Sequence, residues 1–264
     1  ISMPSVLFPV PGSPTSNTSS FPCASFATSF PVRFAKALVP AKKAKLLAPL
    51  VNPPKIICLG LNYRDHIAEQ TAATPEDPVL FMKPRTAIIG PDDTIIKPPF
   101  VSRLDYEAEL AVIIGKKGKN ISLGEAKEHI FGYTCFNDVS ARDIQFGDKQ
   151  WTRGKSFDTF APIGPCITTA DQIGDPNNLW IRTRVNGTVR QDSSTHNMVF
   201  NVYEIIHRLS QVFTLEPGDL IATGTPAGVG FAMKPNPTFL SSGDEVEIEI
   251  ENIGLLRNRV KAAK

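Results

Sequence analysis

The 264-residue sequence is poor in several things, and each shortage excludes a class of protein. No stretch approaches 18 consecutive apolar residues, so a transmembrane helix is not expected. Only four cysteines occur (Cys23, Cys58, Cys135 and Cys166), and none forms a Cys-x-x-Cys pair. The common zinc and dithiol spacings are therefore missing. Cys58 and Cys135 sit in apolar segments and read as small buried hydrophobes in a reducing, cytoplasmic setting, with a mitochondrial one as the alternative. Acidic residues are missing from the first 64 positions, which hold seven of the 28 Lys and Arg residues. From Asp65 onward 21 basic side chains face 26 acidic ones, a net of −5. That acidic body, without an Arg/Lys stripe interleaved with aromatics, argues against a nucleic-acid binder.

Residues 1–32 carry eight serines and no charge. Such a start resembles an organelle transit peptide, yet Arg33 is the only Arg before Arg64. No apolar stretch ends in a small-residue cleavage site, which disfavours a secretory signal. We read residues 1–50 as a divergent Ser/Pro-rich arm or small N-terminal segment, and residues 51–264 as the folded body. An apolar content of 42% with 20% charge is that of a soluble globular domain, and the length suffices for a real core.

Strand signals dominate that body. Ile56–Leu59, Val79–Phe81, Ala87–Ile89, Leu110–Ile114, Tyr133–Asp138, Leu220–Ala222 and Glu245–Glu251 read as strands. Trp180–Val185 and Thr188–Arg190, joined by Asn186-Gly187, read as a hairpin. Helices are few: a short one over Tyr63–Gln70, one over 122–130 opened by a Ser122/Glu125 capping box, and one over Tyr203–Phe213. The expected class is α+β and β-rich, without regular βαβ alternation.

Glu107 and Glu109 precede the apolar run Leu110–Gly115. On a strand, residues i and i+2 share a face, so both carboxylates point one way at the mouth of a buried strand. Two like charges there demand a proton or a cation, and a hard divalent ion such as Mg²⁺ meets that demand. Glu247, Glu249 and Glu251 provide the contrast: they alternate with Val246, Ile248 and Ile250 and read as an ordinary solvated face.

Four further features bear on chemistry. Asp138 follows an apolar strand, where a third ligand could arise. His66 and Glu69, at i, i+3, share a helix face, the arrangement of a base and its orienting carboxylate. Lys155 is flanked by aromatics and could meet developing negative charge. The loop Thr223–Gly230 is Gly-rich, lacks P-loop and dinucleotide signatures, and offers amides suited to a carboxylate.

Taken together, residues from about Lys55 to Val260 resemble the short, single-domain-type members of the fumarylacetoacetate hydrolase family. The matching segments are Gly60–His66, Asp105–Leu110, Asn137–Asp143, Gly154–Asp158 and Thr223–Pro226. The resemblance implies a mixed β-sandwich or β-roll with few short helices, and a homodimer. It implies Mg²⁺, with Mn²⁺ or Ca²⁺ as substitutes, held by Glu107, Glu109 and Asp138. It makes His66 and Glu69 a water-activating pair on a lid helix that orders over substrate. Arg142, Gln145, Lys155 and Thr225 match positions that hold the carboxylate and oxo groups of a small 2-oxo acid.

An enolate is common to C–C hydrolysis, decarboxylation and keto–enol isomerisation, so one site could serve all three. Because His66 and Glu69 suit water activation, hydrolysis of an acylpyruvate-type substrate is the first expectation. Isomerisation, tautomerisation or decarboxylation of a 2-oxo diacid, oxaloacetate included, is the second. A non-catalytic binding protein on the same fold is the distant third. Neither nucleic acid nor a membrane is an expected partner.

Overall fold

The computed structural model describes residues 44–263. Most of the arm expected over 1–50, and Cys23, lie outside the described residues. Among the described residues, fourteen strands and four short α-helices follow in order. The strands are β1 Ile56–Gly60, β2 Val79–Met82, β3 Ile88–Ile89, β4 Thr94–Lys97, β5 Leu104–Asp105, β6 Ala108–Ile114 and β7 Ile130–Asn137. After these come β8 Ser140–Ala141, β9 Ala161–Thr169, β10 Trp180–Val185, β11 Thr188–Ser194, β12 Leu220–Ala222, β13 Glu245–Ile250 and β14 Gly254–Ala262. The helices are α1 Arg64–Gln70, α2 Arg142–Gly147, α3 Thr152–Lys155 and α4 Val202–Val212. No helix among the described residues is long and apolar enough to cross a membrane.

A seven-stranded mixed sheet runs β2-β1-β12-β6-β7-β9-β3, and a five-stranded sheet runs β11-β10-β13-β14-β4. The expected β-rich α+β fold is the one observed. β6 is buried along its whole length because both its faces are covered. Leu110, Val112 and Ile114 point into the core between the sheets, where Ile181, Val246, Ile248 and Leu256 meet them. Ala111 and Ile113 point the other way, against Ile56, Cys58 and Phe136, with Ala48 and Leu50 packed on that cluster. Burying each large aliphatic side chain contributes about 1.5–3 kcal/mol, which anchors β6 at the centre. Period 2 then puts Glu109 on the Ala111 face, at the strand's open end.

Three sequence expectations need amending. The helix over 122–130 is a 3-10 turn, Ala126–His129, preceded by turns. Ser122 Oγ still donates to Glu125 Oε2 at 2.6 Å, but β7 begins at Ile130 and leaves no room for an α-helix. The strand over Ala87–Ile89 survives only as Ile88–Ile89, since Ala87 closes a 3-10 turn. Helix α4 starts at Val202, one residue early, because Asn201 and Glu204 form a reciprocal cap.

Candidate active site

Register explains how the carboxylates meet. β6 and β7 pair so that Ala108 faces Asn137, which leaves Asp138, the next residue, beside Glu107. Asp138 N donates to Glu107 O at 2.9 Å, and Glu107 N donates to Asn137 Oδ1 at 3.1 Å. Carboxylate oxygens of Glu107, Glu109 and Asp138 consequently lie within 4.8 Å of one another, all three residues buried.

The cluster is only partly neutralised by protein cations. Lys155 Nζ stands 2.6 Å from Glu107 Oε2 and 2.7 Å from Asp138 Oδ2. Lys83 Nζ lies 2.6 Å from Asp138 Oδ1. Arg142 Nη2 reaches Glu107 Oε1 at 2.6 Å, while its Nε donates to Asp105 Oδ2 at 2.9 Å. Four buried carboxylates thus face three buried cations, a net of −1 when all are ionised. Burial opposes ionisation of Glu107, but Lys155 and Arg142 outweigh it and hold the carboxyl well below the usual range. Glu109 goes the other way: burial, then the charges of Asp138 and Glu107, push it far up. Its Oε2 accepts from Gly224 N at 2.9 Å, whereas its buried Oε1 has no hydrogen-bond partner.

That orphaned oxygen is the test of whether a metal fits, and it does. A buried acceptor without a donor, next to two more carboxylates and carrying excess negative charge, is the donor set a hard divalent cation needs. Glu107, Glu109 and Asp138 would hold it.

The second element of the site comes from α1. His66 Nδ1 meets Glu69 Oε1 at 2.6 Å, and Gln70 Nε2 lies 2.7 Å from His66 Nε2. With the Gln70 amide donating, Nδ1–H donates to Glu69 and the Nε2 lone pair is the basic one. His66 and Ile67 are buried, and α1 is tied to the segment before α4: Asp65 Oδ2 accepts from Ser193 Oγ at 2.6 Å, and Arg64 donates to Met198 O. His66, Glu107, Arg142, Gln145, Lys155 and Thr225 all line one small cleft of about 50 Å³, with Phe146, Trp151 and Phe231 as its apolar walls. Glu109 and Asp138 stand behind it, and Glu69 is reached through His66.

Lys155, flanked by aromatics in the sequence, is almost fully buried. The Gly-rich loop differs in role from the expectation. Its amides bind the protein's own carboxylates: Gly224 N holds Glu109, Gly228 N holds Glu69 at 2.9 Å, and Gly230 N holds Asp105 at 2.8 Å. Gly224 and Gly228 have φ of +96° and +100°, which L side chains rarely adopt. Sequence reasoning assigned no role to Asp105 or Lys83. Asp105 continues the i, i+2 parity of Glu107 and Glu109, a usable signal. Lys83 shares parity with buried Phe81 across an apolar strand end, a weaker one.

The family model described as fumarylacetoacetate (FAA) hydrolase C-terminal matches residues 55–261. The chain belongs to the fumarylacetoacetate hydrolase family. Over 236 residues it is 50% identical to the mitochondrial oxaloacetate tautomerase FAHD2A of Bos taurus, covering 89% of this chain and 73% of that one. A fumarylacetoacetate hydrolase from psychrophilic Exiguobacterium antarcticum has a similar structure, with a TM-score of 0.76 at 49% identity, over 82% of this chain and 78% of its own. A 5-carboxymethyl-2-hydroxymuconate delta-isomerase from Mycobacterium smegmatis also gives 0.76, at 43% identity, over 86% and 85% of the two chains. Members of the fumarylacetoacetate hydrolase family thus carry hydrolase, isomerase and tautomerase names on this fold.

Proposed function

We propose that this protein is a divalent-metal-dependent enzyme, with Mg²⁺ the metal of first choice, that acts on a small 2-oxo acid through its enol form. The leading reaction is keto–enol tautomerisation of oxaloacetate. The observation that carries the reading is the convergence of His66, Lys155, Arg142 and Glu107 on one cleft, with a buried carboxylate triad at its base. The bovine relative's name supports the choice of reaction. When bound, Mg²⁺ would withdraw electron density from the 2-oxo acid and acidify the neighbouring C–H.

The residues of the chain supply the rest. Lys155 and Arg142 offer positive charge to the substrate's carboxylate and oxo oxygens, and Gln145 and Thr225 orient them. His66 Nε2, its ring fixed by Glu69 and its lone pair released by the Gln70 amide, takes the proton from the carbon beside the oxo group and delivers it to the oxo oxygen, which makes the enol; the keto form returns by the reverse transfers. Phe231 lies over the Arg142 guanidinium, 4.5 Å from ring centre to Cζ, and with Phe146 and Trp151 excludes water from that exchange.

Hydrolytic C–C cleavage of an acylpyruvate-type substrate is the second reading. It is favoured by the same His66–Glu69 pair, which could equally polarise a water, and by the likeness to a fumarylacetoacetate hydrolase. Following oxaloacetate enol decay and acetylpyruvate loss in parallel, with Mg²⁺ and with a chelator, tests both. Metal-dependent turnover of oxaloacetate alone supports the tautomerase; loss of acetylpyruvate moves hydrolysis to first place. No turnover of either would leave a binding protein.

We also infer a homodimer in a cytoplasmic or mitochondrial setting. Leu80 and Met82, exposed on the edge strand β2, support association, and sedimentation equilibrium tests it.

A further inference from the structure

Gln191 lies on β11, outside the cleft, fully buried, and its four hydrogen-bonding positions are all used. Its Oε1 accepts from Ala108 N at 3.0 Å and from Thr183 Oγ1 at 2.7 Å. Its Nε2 donates to Thr225 Oγ1 and to Pro226 O, both at 2.8 Å. Ala108 is the residue between Glu107 and Glu109. Thr225 and Pro226 belong to the loop whose Gly224 and Gly228 amides hold Glu109 and Glu69. One amide therefore joins the strand that carries two of the clustered carboxylates to the loop that orients one of them and the partner of His66.

We propose that Gln191 is a positioning residue that sets the loop Thr223–Gly230 against β6, and so keeps the carboxylate triad and the His66–Glu69 pair in mutual register. No other side chain supplies two acceptor lone pairs and two donors at that length except through an amide. A carboxylate in its place would keep the acceptor for Ala108 N but face Pro226 O with a second acceptor. A shift of the loop would lengthen the 2.9 Å bonds from Gly224 N to Glu109 and from Gly228 N to Glu69 together. Supporting partners of this kind change metal affinity or activity by about 10–100-fold when removed. The inference rests on reading the two clusters as one active site.

The test uses the full chain and three variants: Gln191→Glu, Gln191→Met as an uncharged substitute should the glutamate not fold, and Asn258→Ala. Asn258 is a buried amide on β14 that donates to Gly90 O and Asp93 O, away from the cleft, and serves as the control for general destabilisation. Mn²⁺ affinity is measured calorimetrically without substrate, the His66 imidazole nitrogens by NMR, and kcat and KM on oxaloacetate. A folded Gln191 variant should bind Mn²⁺ about tenfold more weakly, lose about 10–100-fold in kcat with a smaller change in KM, and show displaced His66 resonances. Asn258→Ala should lower the melting temperature and change none of these. Unchanged Mn²⁺ affinity with unchanged His66 resonances in a folded Gln191 variant overturns the proposal, as does an equal loss in Asn258→Ala. If the wild-type protein turns over neither oxaloacetate nor acetylpyruvate, the functional reading fails, and the positioning role is then decided by Mn²⁺ affinity and the His66 resonances alone.

Discussion

Lys155 Nζ and Glu107 Oε2 stand 2.6 Å apart in an ion pair almost wholly removed from solvent. The ammonium also touches Asp138, so it neutralises two of the carboxylates that would ligate a metal. Burial works against the charged amine, but Asp138 and Glu107 more than offset it and its pKa rises. Lys155→Met should cost about 3–5 kcal/mol in the metal-free protein, the usual penalty for stranding buried charge. Part of that should return on adding Mg²⁺, and turnover should fall on every 2-oxo acid that is a substrate. Denaturant titrations with and without Mg²⁺ measure this; an equal loss under both conditions would show that the amine and the metal do not share these carboxylates.

His66→Ala removes the base while leaving the carboxylate triad intact. Tautomerisation, and acylpyruvate cleavage where it occurs, should slow by about 10²–10⁴-fold, the usual contribution of a positioned base. Decarboxylation of oxaloacetate should suffer much less, because loss of CO₂ needs no proton abstraction. Stopped-flow rates for the three reactions with one variant decide the assignment, and an intact tautomerase rate would refute it.

Glu109 links metal uptake to pH. Its folded pKa is raised, so its contribution to stability is present below the unfolded carboxyl range and is lost as pH rises through the folded value. In the metal-free protein this penalty grows with pH, and a divalent cation relieves it. The stabilisation gained on adding Mg²⁺ should therefore grow as pH rises, and a ligand at 100 times its Kd contributes about 2.7 kcal/mol. Glu109→Gln keeps the volume and should flatten that increase; thermal shifts across pH with both proteins provide the measurement.

Helix α1 carries His66 but is short, and its links to the body are mostly hydrogen bonds. Ordering over substrate should appear as slower amide exchange in residues 64–70 once Mg²⁺ and oxalate, an enolate mimic, are added together. Exchange that is equally slow without them would mean a permanently seated helix and no lid.

Much of this protein is legible from local pattern. The apolar run Leu110–Ile114 specifies a strand buried on both faces, the hairpin turn falls at Asn186-Gly187 with φ of 51° and 76°, and α4 follows its apolar spacing. The parity of Glu107 and Glu109 alone puts two carboxylates on one face. These features repeat within a few residues, so periodicity and turn chemistry determine them. What could not be read locally is who neutralises the carboxylates. Lys155 is 48 residues from Glu107, Gln191 is 83 from Ala108, and Gly228 is 159 from Glu69. Only its parity with Phe81 hints that Lys83 is buried, and nothing in the neighbouring residues marks the loop amides as donors to the protein's own carboxylates rather than to substrate. Those choices follow from strand order and register, in which β6 sits between β12 and β7. A buried charge accepts whichever partner the fold brings within about 3 Å, and only the tertiary structure decides which one that is.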